Sequence, residues 1–176
     1  LENHRIGKDE ILVRKMEEKQ EQPEFPLNLK VAKVIDVKDH PNADKLYVMG
    51  IDLGTEKRQL VAGLRGHYSQ DELKNKKIIV VTNLKPAKLR GIESNGMLLA
   101  GDDGAGPGLL TVNESRPGDK VYFDGLENAT AQITYEEFAK ISMIVKNSKV
   151  YFENRELKTD KEIVKVEITK DGGRVR

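Results

Sequence analysis

Residues 78–100 read IIVVTNLKPAKLRGIESNGMLLA, in which two short aliphatic runs enclose a polar, cationic segment. The runs Ile78–Val81 and Met97–Ala100 are apolar and partly β-branched, which is typical of buried strands. The segment between them contains asparagine, serine and two glycines, so we expect a loop that leaves and re-enters a sheet. This stretch therefore predicts a β-rich fold with a basic loop between two of its strands.

The charge of the chain is segregated around this loop. The formal net charge is only +1, yet between Leu73 and Ile92 six residues are basic and none is acidic. The six are Lys74, Lys76, Lys77, Lys85, Lys88 and Arg90. A local block of cations attracts polyanions even when the net charge is near zero. The block predicts contact with the phosphate backbone of a nucleic acid.

The composition excludes several kinds of chemistry. The 176 residues contain no cysteine, which rules out disulfides, zinc–thiolate sites and thiol catalysis. His4, His40 and His67 lack metal-binding spacing, and no Ser/His/Asp or paired-carboxylate arrangement stands out. No apolar run reaches the roughly 18–20 residues that span a bilayer, and the N-terminus lacks an apolar signal core. We expect a cytoplasmic protein with no membrane association, no cofactor, no metal and no catalytic residues.

Residues 1–26 are predicted to lie outside the globular fold. Asp9 to Gln22 can form an amphipathic helix with Ile11, Leu12 and Met16 on its apolar face. Two prolines interrupt the next residues, so we expect Gln20 to Pro26 to be a linker.

Residues 27–125 are predicted to form a small barrel. Strand-like runs separated by turns occupy Leu29–Val37, Leu46–Leu53, Arg58–Ala62, Ile78–Thr82, Met97–Ala100, Leu109–Val112 and Lys120–Phe123. Ser69 and Glu72 have the capping-box spacing, which predicts a short helix over Gln70–Leu73. This order suits a five-stranded OB-fold Greek-key barrel, a fold that binds oligonucleotides on one face and through its loops. The pattern alone leaves an SH3-like barrel or a small sandwich open.

Residues 126–176 are predicted to be a C-terminal α+β extension packed on the barrel. A second capping box, Thr134 to Glu137, opens a helix whose inward side chains are Phe138, Ile141 and Met143. The runs Lys149–Phe152 and Glu162–Ile168 resemble strands. A separate domain of this size without cysteine or metal would be marginally stable, which favours packing on the barrel.

Four motifs together resemble the EMAP-II-like tRNA-binding domain. They are His40–Val48, Asn83–Gly91, Ser94–Met97 and Arg116–Asp119. This family includes domains fused to methionyl- and tyrosyl-tRNA synthetases, free tRNA-binding chaperones and endothelial monocyte-activating polypeptide II. The resemblance covers residues 27–125 most strongly and implies an OB fold that binds tRNA.

The resemblance also implies an oligomeric state and a context. Longer members of the family carry a C-terminal extension that imitates the interface of a second barrel, so we expect a monomer. His4–Lys8 and Ile11–Glu18 resemble the end of a methionyl-tRNA synthetase body. We therefore expect the chain to be a non-catalytic C-terminal part of a methionine–tRNA ligase.

Nine residues are predicted to contact tRNA. They are Lys33, Arg65, Asn83, Lys85, Lys88, Arg90, Ser94, Asn95 and Met97. The cations would hold phosphates, which gives affinity without sequence readout. The asparagine and serine side chains suit ribose 2′-hydroxyls or base edges, with turn capping as the alternative. Met97 would touch an unstacked base or pack in the core.

The predicted function is tRNA binding that depends on RNA shape and raises the tRNA affinity of an attached synthetase. Two alternatives remain at this point. One is a cytokine-like signalling fragment, an activity that the family resemblance ties to Leu29–Pro41. The other is a docking module within a multi-synthetase assembly.

Overall fold

A computed structural model describes residues 23–176, which form seventeen strands and two short helices. The first elements are β1 (Glu24–Phe25), β2 (Leu29–Asp39), β3 (Tyr47–Asp52), β4 (Lys57–Ala62), α1 (Gln70–Leu73), β5 (Lys77–Val81), β6 (Ala87–Leu89), β7 (Ile92–Ser94) and β8 (Met97–Leu98). They are followed by β9 (Ala100–Asp102), β10 (Pro107–Thr111), β11 (Lys120–Phe123), β12 (Glu127–Asn128), α2 (Tyr135–Ala139), β13 (Ile144–Lys146), β14 (Lys149–Phe152), β15 (Arg155–Lys158), β16 (Lys165–Val166) and β17 (Arg174–Val175). Within the described residues, neither helix is long and apolar enough to cross a membrane.

The barrel has the strand connections that the sequence predicts. Strands β2, β3 and β4 form an antiparallel meander. After α1, β5 returns to pair with β2 on its other side, and β8 pairs with β5. A helix between the third and fourth barrel strands, with the fourth strand set beside the first, is the arrangement expected of an OB fold. The prediction of a mainly β, OB-like fold is confirmed.

Strand β5 and the first half of β2 bury apolar side chains on both faces, which explains the continuous aliphatic run of β5. Ala32 and Val34 of β2 point into the barrel, together with alternate residues of β5. Leu29 and Val31 point the opposite way, into a second and larger core that contains residues of the extension. The barrel wall is therefore shared by two hydrophobic cores.

Both predicted capping boxes are present. The Ser69 hydroxyl accepts a hydrogen bond from the Glu72 backbone at 3.1 Å, and the Glu72 carboxylate accepts one from the Ser69 backbone at 3.0 Å. Thr134 and Glu137 make the same reciprocal pair at the start of α2. These caps were predictable because they depend only on residues three positions apart.

The extension is built onto the barrel through strand pairing as well as packing. Its strand β15 pairs with β11, β16 pairs with β10, and β17 pairs with β9. Three aromatic rings link the barrel to the extension. The Phe25 ring lies edge-on to Phe123 of the barrel, with centroids 4.8 Å apart, and to Phe152 of the extension, with centroids 5.0 Å apart. One continuous core thus includes the barrel wall and the extension.

The predicted linker ends earlier than expected. Phe25 is 0% exposed and belongs to the larger core, and β1 pairs in parallel with β12. The two flanking prolines exclude a central strand, but they allow a two-residue strand at a sheet edge. Residues 24–26 therefore belong to the fold, whereas the helix predicted for Asp9–Gln22 lies outside the described residues.

The strand predicted over Glu162–Ile168 is wrong for most of its length. Only Lys165 and Val166 are in a strand. The chain then turns sharply at Ile168, which has a φ of +59° and is 84% exposed. Apolar and polar residues do alternate in this segment, but Glu162 forms hydrogen bonds with a neighbouring loop and is not part of a strand.

Glu162 fastens the extension to the barrel. Its carboxylate accepts hydrogen bonds from the backbone N–H groups of Asn113, Glu114 and Ser115 at 2.6–2.7 Å. The Ser115 hydroxyl also donates to it at 2.8 Å. Burial raises the pKa of the Glu162 carboxyl, but these hydrogen bonds outweigh that effect and hold the pKa below its ordinary value.

We predict that Glu162→Gln lowers the free energy of unfolding by about 1–3 kcal/mol at pH 7, because a charged acceptor of several hydrogen bonds is lost. In the wild type this contribution is present above the ordinary pKa of 4.5 and disappears as the pH falls through the lower folded-state pKa. The two proteins should therefore converge in stability towards pH 3.

Urea unfolding between pH 7 and pH 3 measures this difference. Glu114→Gln, which neutralises an exposed carboxylate in the same loop, is the matched control and should stay within about 0.5 kcal/mol of the wild type. A wild-type advantage over Glu162→Gln that is equally large at pH 7 and pH 3 would contradict the assignment.

Candidate nucleic-acid interface

The basic segment is a β-hairpin rather than the predicted loop. Strands β6 and β7 pair antiparallel, with Lys88 opposite Glu93 and Leu89 opposite Ile92. The two turn residues, Arg90 and Gly91, have φ values of +51° and +88°. Two successive left-handed residues are what a tight hairpin turn requires. The sequence did not predict this hairpin because each of its strands has only three residues and the turn lacks the usual Asn-Gly or Asp-Gly pair.

The hairpin is fastened to the barrel along its length. The Ser94 hydroxyl accepts a hydrogen bond from the Val61 backbone and donates one to the Gly96 carbonyl, both at 3.0 Å. The Gln59 amide donates to the Glu93 carbonyl at 2.8 Å. Ser94 is buried, so its side chain anchors the hairpin and is not presented to a ligand.

His40 holds the tip of the hairpin. Its Nδ1 accepts a hydrogen bond from the Asn42 backbone at 3.0 Å. This assigns the ring proton to Nε2, which then donates to the Leu89 carbonyl at 3.0 Å. Because His40 lies in the turn between β2 and β3, it joins two loops at the same end of the barrel, in keeping with the turn-building role of its motif.

The Asn83 side chain links separate segments of the backbone at the base of the hairpin. Its Oδ1 accepts a hydrogen bond from the Asn28 backbone at 2.8 Å, and its Nδ2 donates to the carbonyls of Pro26 and Ala131 at 2.8 and 2.9 Å. The residue is 7% exposed. Both amide hydrogens are already used within the protein, so the geometry favours the structural alternative over contact with RNA.

The six cations of the basic block separate into two groups. Lys76 pairs with Glu167 of the extension, and the Lys77 ammonium donates to the Asn113 carbonyl at 2.9 Å. Lys85, Lys88 and Arg90 are exposed and make no ion pair with any residue between 23 and 176. Lys74, at the end of α1, belongs to the same exposed group, so three of its four members lie on the hairpin or just before it.

The other predicted contacts are more scattered. Arg65 pairs with Asp39 at 3.3 Å, next to His40, which places it towards the hairpin tip. Lys33 is opposite Lys77, at the start of β5, whereas the hairpin follows the end of β5. Four strand residues separate these points by about 13 Å. Met97 is half-buried and packs against the larger core.

A polar groove of about 570 Å³ opens at the base of the hairpin. Asn95 lines it, as do Lys30, Lys57 and Arg58, three cations that the sequence analysis did not select. Lys57 and Arg58 are neighbours in β4, whereas Lys30 comes from β2, so no local sequence pattern groups Lys30 with the other two. In the described part of the chain, no cluster of three or more His, Asp or Glu side chains could hold a metal.

The comparison with known families agrees with this geometry. A family model described as "Putative tRNA binding domain" matches residues 29–120, more than half of the chain. The chain belongs to this family, as its motifs predict. The family model describes a binding domain, in agreement with the prediction of a non-catalytic module.

Relatives and solved structures extend the comparison. The chain is 62% identical to methionine–tRNA ligase from Thermococcus onnurineus over 84 residues, 48% of this chain but only 12% of that enzyme. The C-terminal domain of Plasmodium vivax p43 matches with a TM-score of 0.75 and 27% identity, over 85% of this chain and 96% of that one. The chaperone CsaA from Picrophilus torridus matches with a TM-score of 0.50 and 33% identity, over 53% of this chain and 90% of that one.

We predict that Asn83→Ala lowers the free energy of unfolding by about 2 kcal/mol, because it leaves buried backbone groups without partners. Thermal or urea unfolding measures this loss. Asn95→Ala removes the same kind of side chain from a half-exposed position and should change stability by no more than about 0.5 kcal/mol. Unchanged stability combined with weaker tRNA binding in Asn83→Ala would instead make Asn83 a direct contact.

Proposed function

We propose that the chain is a tRNA-binding module that holds backbone phosphates on its basic hairpin. The observation that carries this proposal is the exposure of Lys85, Lys88 and Arg90 on a hairpin that the barrel holds in place. Cations on a fixed element meet a polyanion with little loss of conformational freedom. These three are the exposed cations of the six-cation block that lie on the hairpin or just before it.

The form of recognition follows from these residue types. Lysine acts as a point charge towards phosphate, and Arg90 can grip a phosphate with two parallel hydrogen bonds or stack on a base. Such contacts position RNA without reading its sequence. Binding should therefore depend on the shape of the tRNA backbone and decrease as salt increases.

The proposed context is the C-terminal part of a methionine–tRNA ligase, the enzyme named for the relatives that the chain matches. The chain spans 12–17% of the length of these relatives. A weak RNA-binding module tethered to a synthetase raises the effective concentration of tRNA at the enzyme without adding chemistry. The module would thus raise the tRNA affinity of the whole enzyme.

The proposed domain division and oligomeric state rest on the two cores. Residues 27–125 would be the tRNA-binding barrel and residues 126–176 an extension that takes the place of a second barrel. Without the extension, the outward side chains of β2 and β5, such as Val31 and Val81, would lose their cover. A barrel of this kind would need a partner for that apolar face. With the extension in place we propose a monomer.

The electrostatic part of the proposal is tested by reversing the three hairpin charges. With about four phosphate contacts, wild-type affinity for tRNA should fall about a hundredfold between 50 and 200 mM salt. Lys85→Glu, Lys88→Glu and Arg90→Glu together should weaken binding at 100 mM salt by at least about a hundredfold. The variant should also have a salt slope shallower by about 2–3. Filter binding or fluorescence anisotropy measures both quantities.

A control variant with the same change in net charge distinguishes direct contact by the hairpin from the effect of the protein's overall charge. Lys146, Lys165 and Lys170 are exposed lysines of the extension that form no ion pair with residues 23–176. Their joint replacement by glutamate should weaken binding far less. If the two triple variants lose affinity equally, the hairpin is not the site.

The role within a synthetase is tested by truncating a methionine–tRNA ligase that contains this chain just before residue 23. The KM for tRNA should rise, because the tethered contact is lost, while the rate of amino-acid activation should stay the same. Aminoacylation and pyrophosphate-exchange assays measure the two quantities. An unchanged KM for tRNA would reject this role while leaving tRNA binding by the isolated module intact.

A further inference from the structure

The groove at the base of the hairpin has the chemistry of a second RNA contact. It lies between the barrel and the first residues of the extension and has a volume of about 570 Å³, within the range of small-ligand sites. The barrel contributes Lys30, Lys57, Arg58 and Asn95, and the extension contributes Thr130 and Gln132. Of these six residues, the sequence predicts an RNA contact only for Asn95.

Hydrogen bonds and an ion pair hold the Arg58 side chain in place in the lining of this groove. Its Nη1 donates to the Thr82 carbonyl at 2.8 Å and to the Asn95 carbonyl at 3.4 Å, while its Nη2 pairs with Glu56 at 2.9 Å. A guanidinium has five N–H donors, so two remain for a ligand. The side chain is 23% exposed and lines the groove.

The groove carries an excess of positive charge. Glu56 is the one acidic residue among the described residues that line it, and it is already paired with Arg58. Lys30 is half-buried and Lys57 is exposed, and neither forms an ion pair within residues 23–176. Two uncompensated ammonium groups beside a fixed guanidinium favour an anionic ligand such as a backbone phosphate.

The remaining lining groups suit a ribose. Asn95, Thr130 and Gln132 supply amides and a hydroxyl, which can both donate to and accept from a 2′-hydroxyl. None of the described lining residues is aromatic, so the groove offers no ring on which a base could stack. Its chemistry therefore fits the sugar–phosphate backbone better than the bases.

We propose that this groove binds a ribose–phosphate segment of RNA and distinguishes RNA from DNA through the 2′-hydroxyl. The inference rests on the proposed tRNA-binding function, since the groove opens beside Pro86, two residues before Lys88 of the hairpin. It adds that the extension touches the RNA directly, through Thr130 and Gln132. The extension would then take part in recognition as well as covering the barrel.

The charge of the groove is tested with the double variant Lys30→Gln and Lys57→Gln. Arg58 is left in place because its bonds to Thr82 and Asn95 support the fold. The variant should bind tRNA about tenfold more weakly at 100 mM salt, with a salt slope shallower by about 1.5. Lys146→Gln with Lys165→Gln, the matched control on the extension, should change neither quantity appreciably.

The ribose contact is tested separately with Gln132→Ala, an exposed position whose replacement leaves the core intact. Affinity for an RNA hairpin should fall severalfold, while affinity for the DNA version of the same hairpin should stay the same. Equal losses for RNA and DNA, or no loss for either, would overturn the ribose assignment.

The outcomes distinguish this inference from the function on which it rests. If the hairpin triple variant loses tRNA and the groove variants keep wild-type affinity and salt slope, the groove proposal fails and tRNA binding by the hairpin stands. If neither set of variants weakens binding, both proposals fail. Melting temperatures identify any variant that is unfolded, and Gln132→Ala then decides the groove proposal alone.

Discussion

The pairing of β2 with β5 is the constraint on which the rest of the molecule depends. Leu29 lies opposite Val81 and Lys33 opposite Lys77, and between these points the aliphatic side chains on both faces of the two strands are buried. One face closes the barrel, and the other carries the extension. A polar substitution in this wall would therefore disturb two cores at once, which couples the stability of the barrel to that of the extension.

The position of the hairpin is a consequence of this pairing. The hairpin follows β5 after a short connection, in which Asn83 bonds to Pro26 and Asn28 just before β2 and to the extension at Ala131. His40 and Ser94 hold its tip and its second strand. Its cations thus stand on a supported element, so that less conformational entropy is lost when they meet a ligand.

The sequence predicted those features whose causes are local. Aliphatic runs, the two capping boxes and the OB order of strands depend on residues close together in the chain. The roles of Phe25 and Asn83 depend on partners about 50 to 130 residues away, so a sequence pattern could not separate a core residue from a linker or an anchor from a ligand. Lys30 of β2 is likewise brought to Lys57 and Arg58 of β4 only by the fold.

The same dependence on distant partners determines where the positive charge acts. In sequence the basic block is one segment, but Lys76 pairs with Glu167 of the extension and Lys77 donates to the Asn113 carbonyl within the barrel. The hairpin cations meet no such partner within residues 23–176. Packing the extension on the barrel therefore pairs Lys76 with Glu167, whereas the charges of the hairpin cations stay available to attract a polyanion.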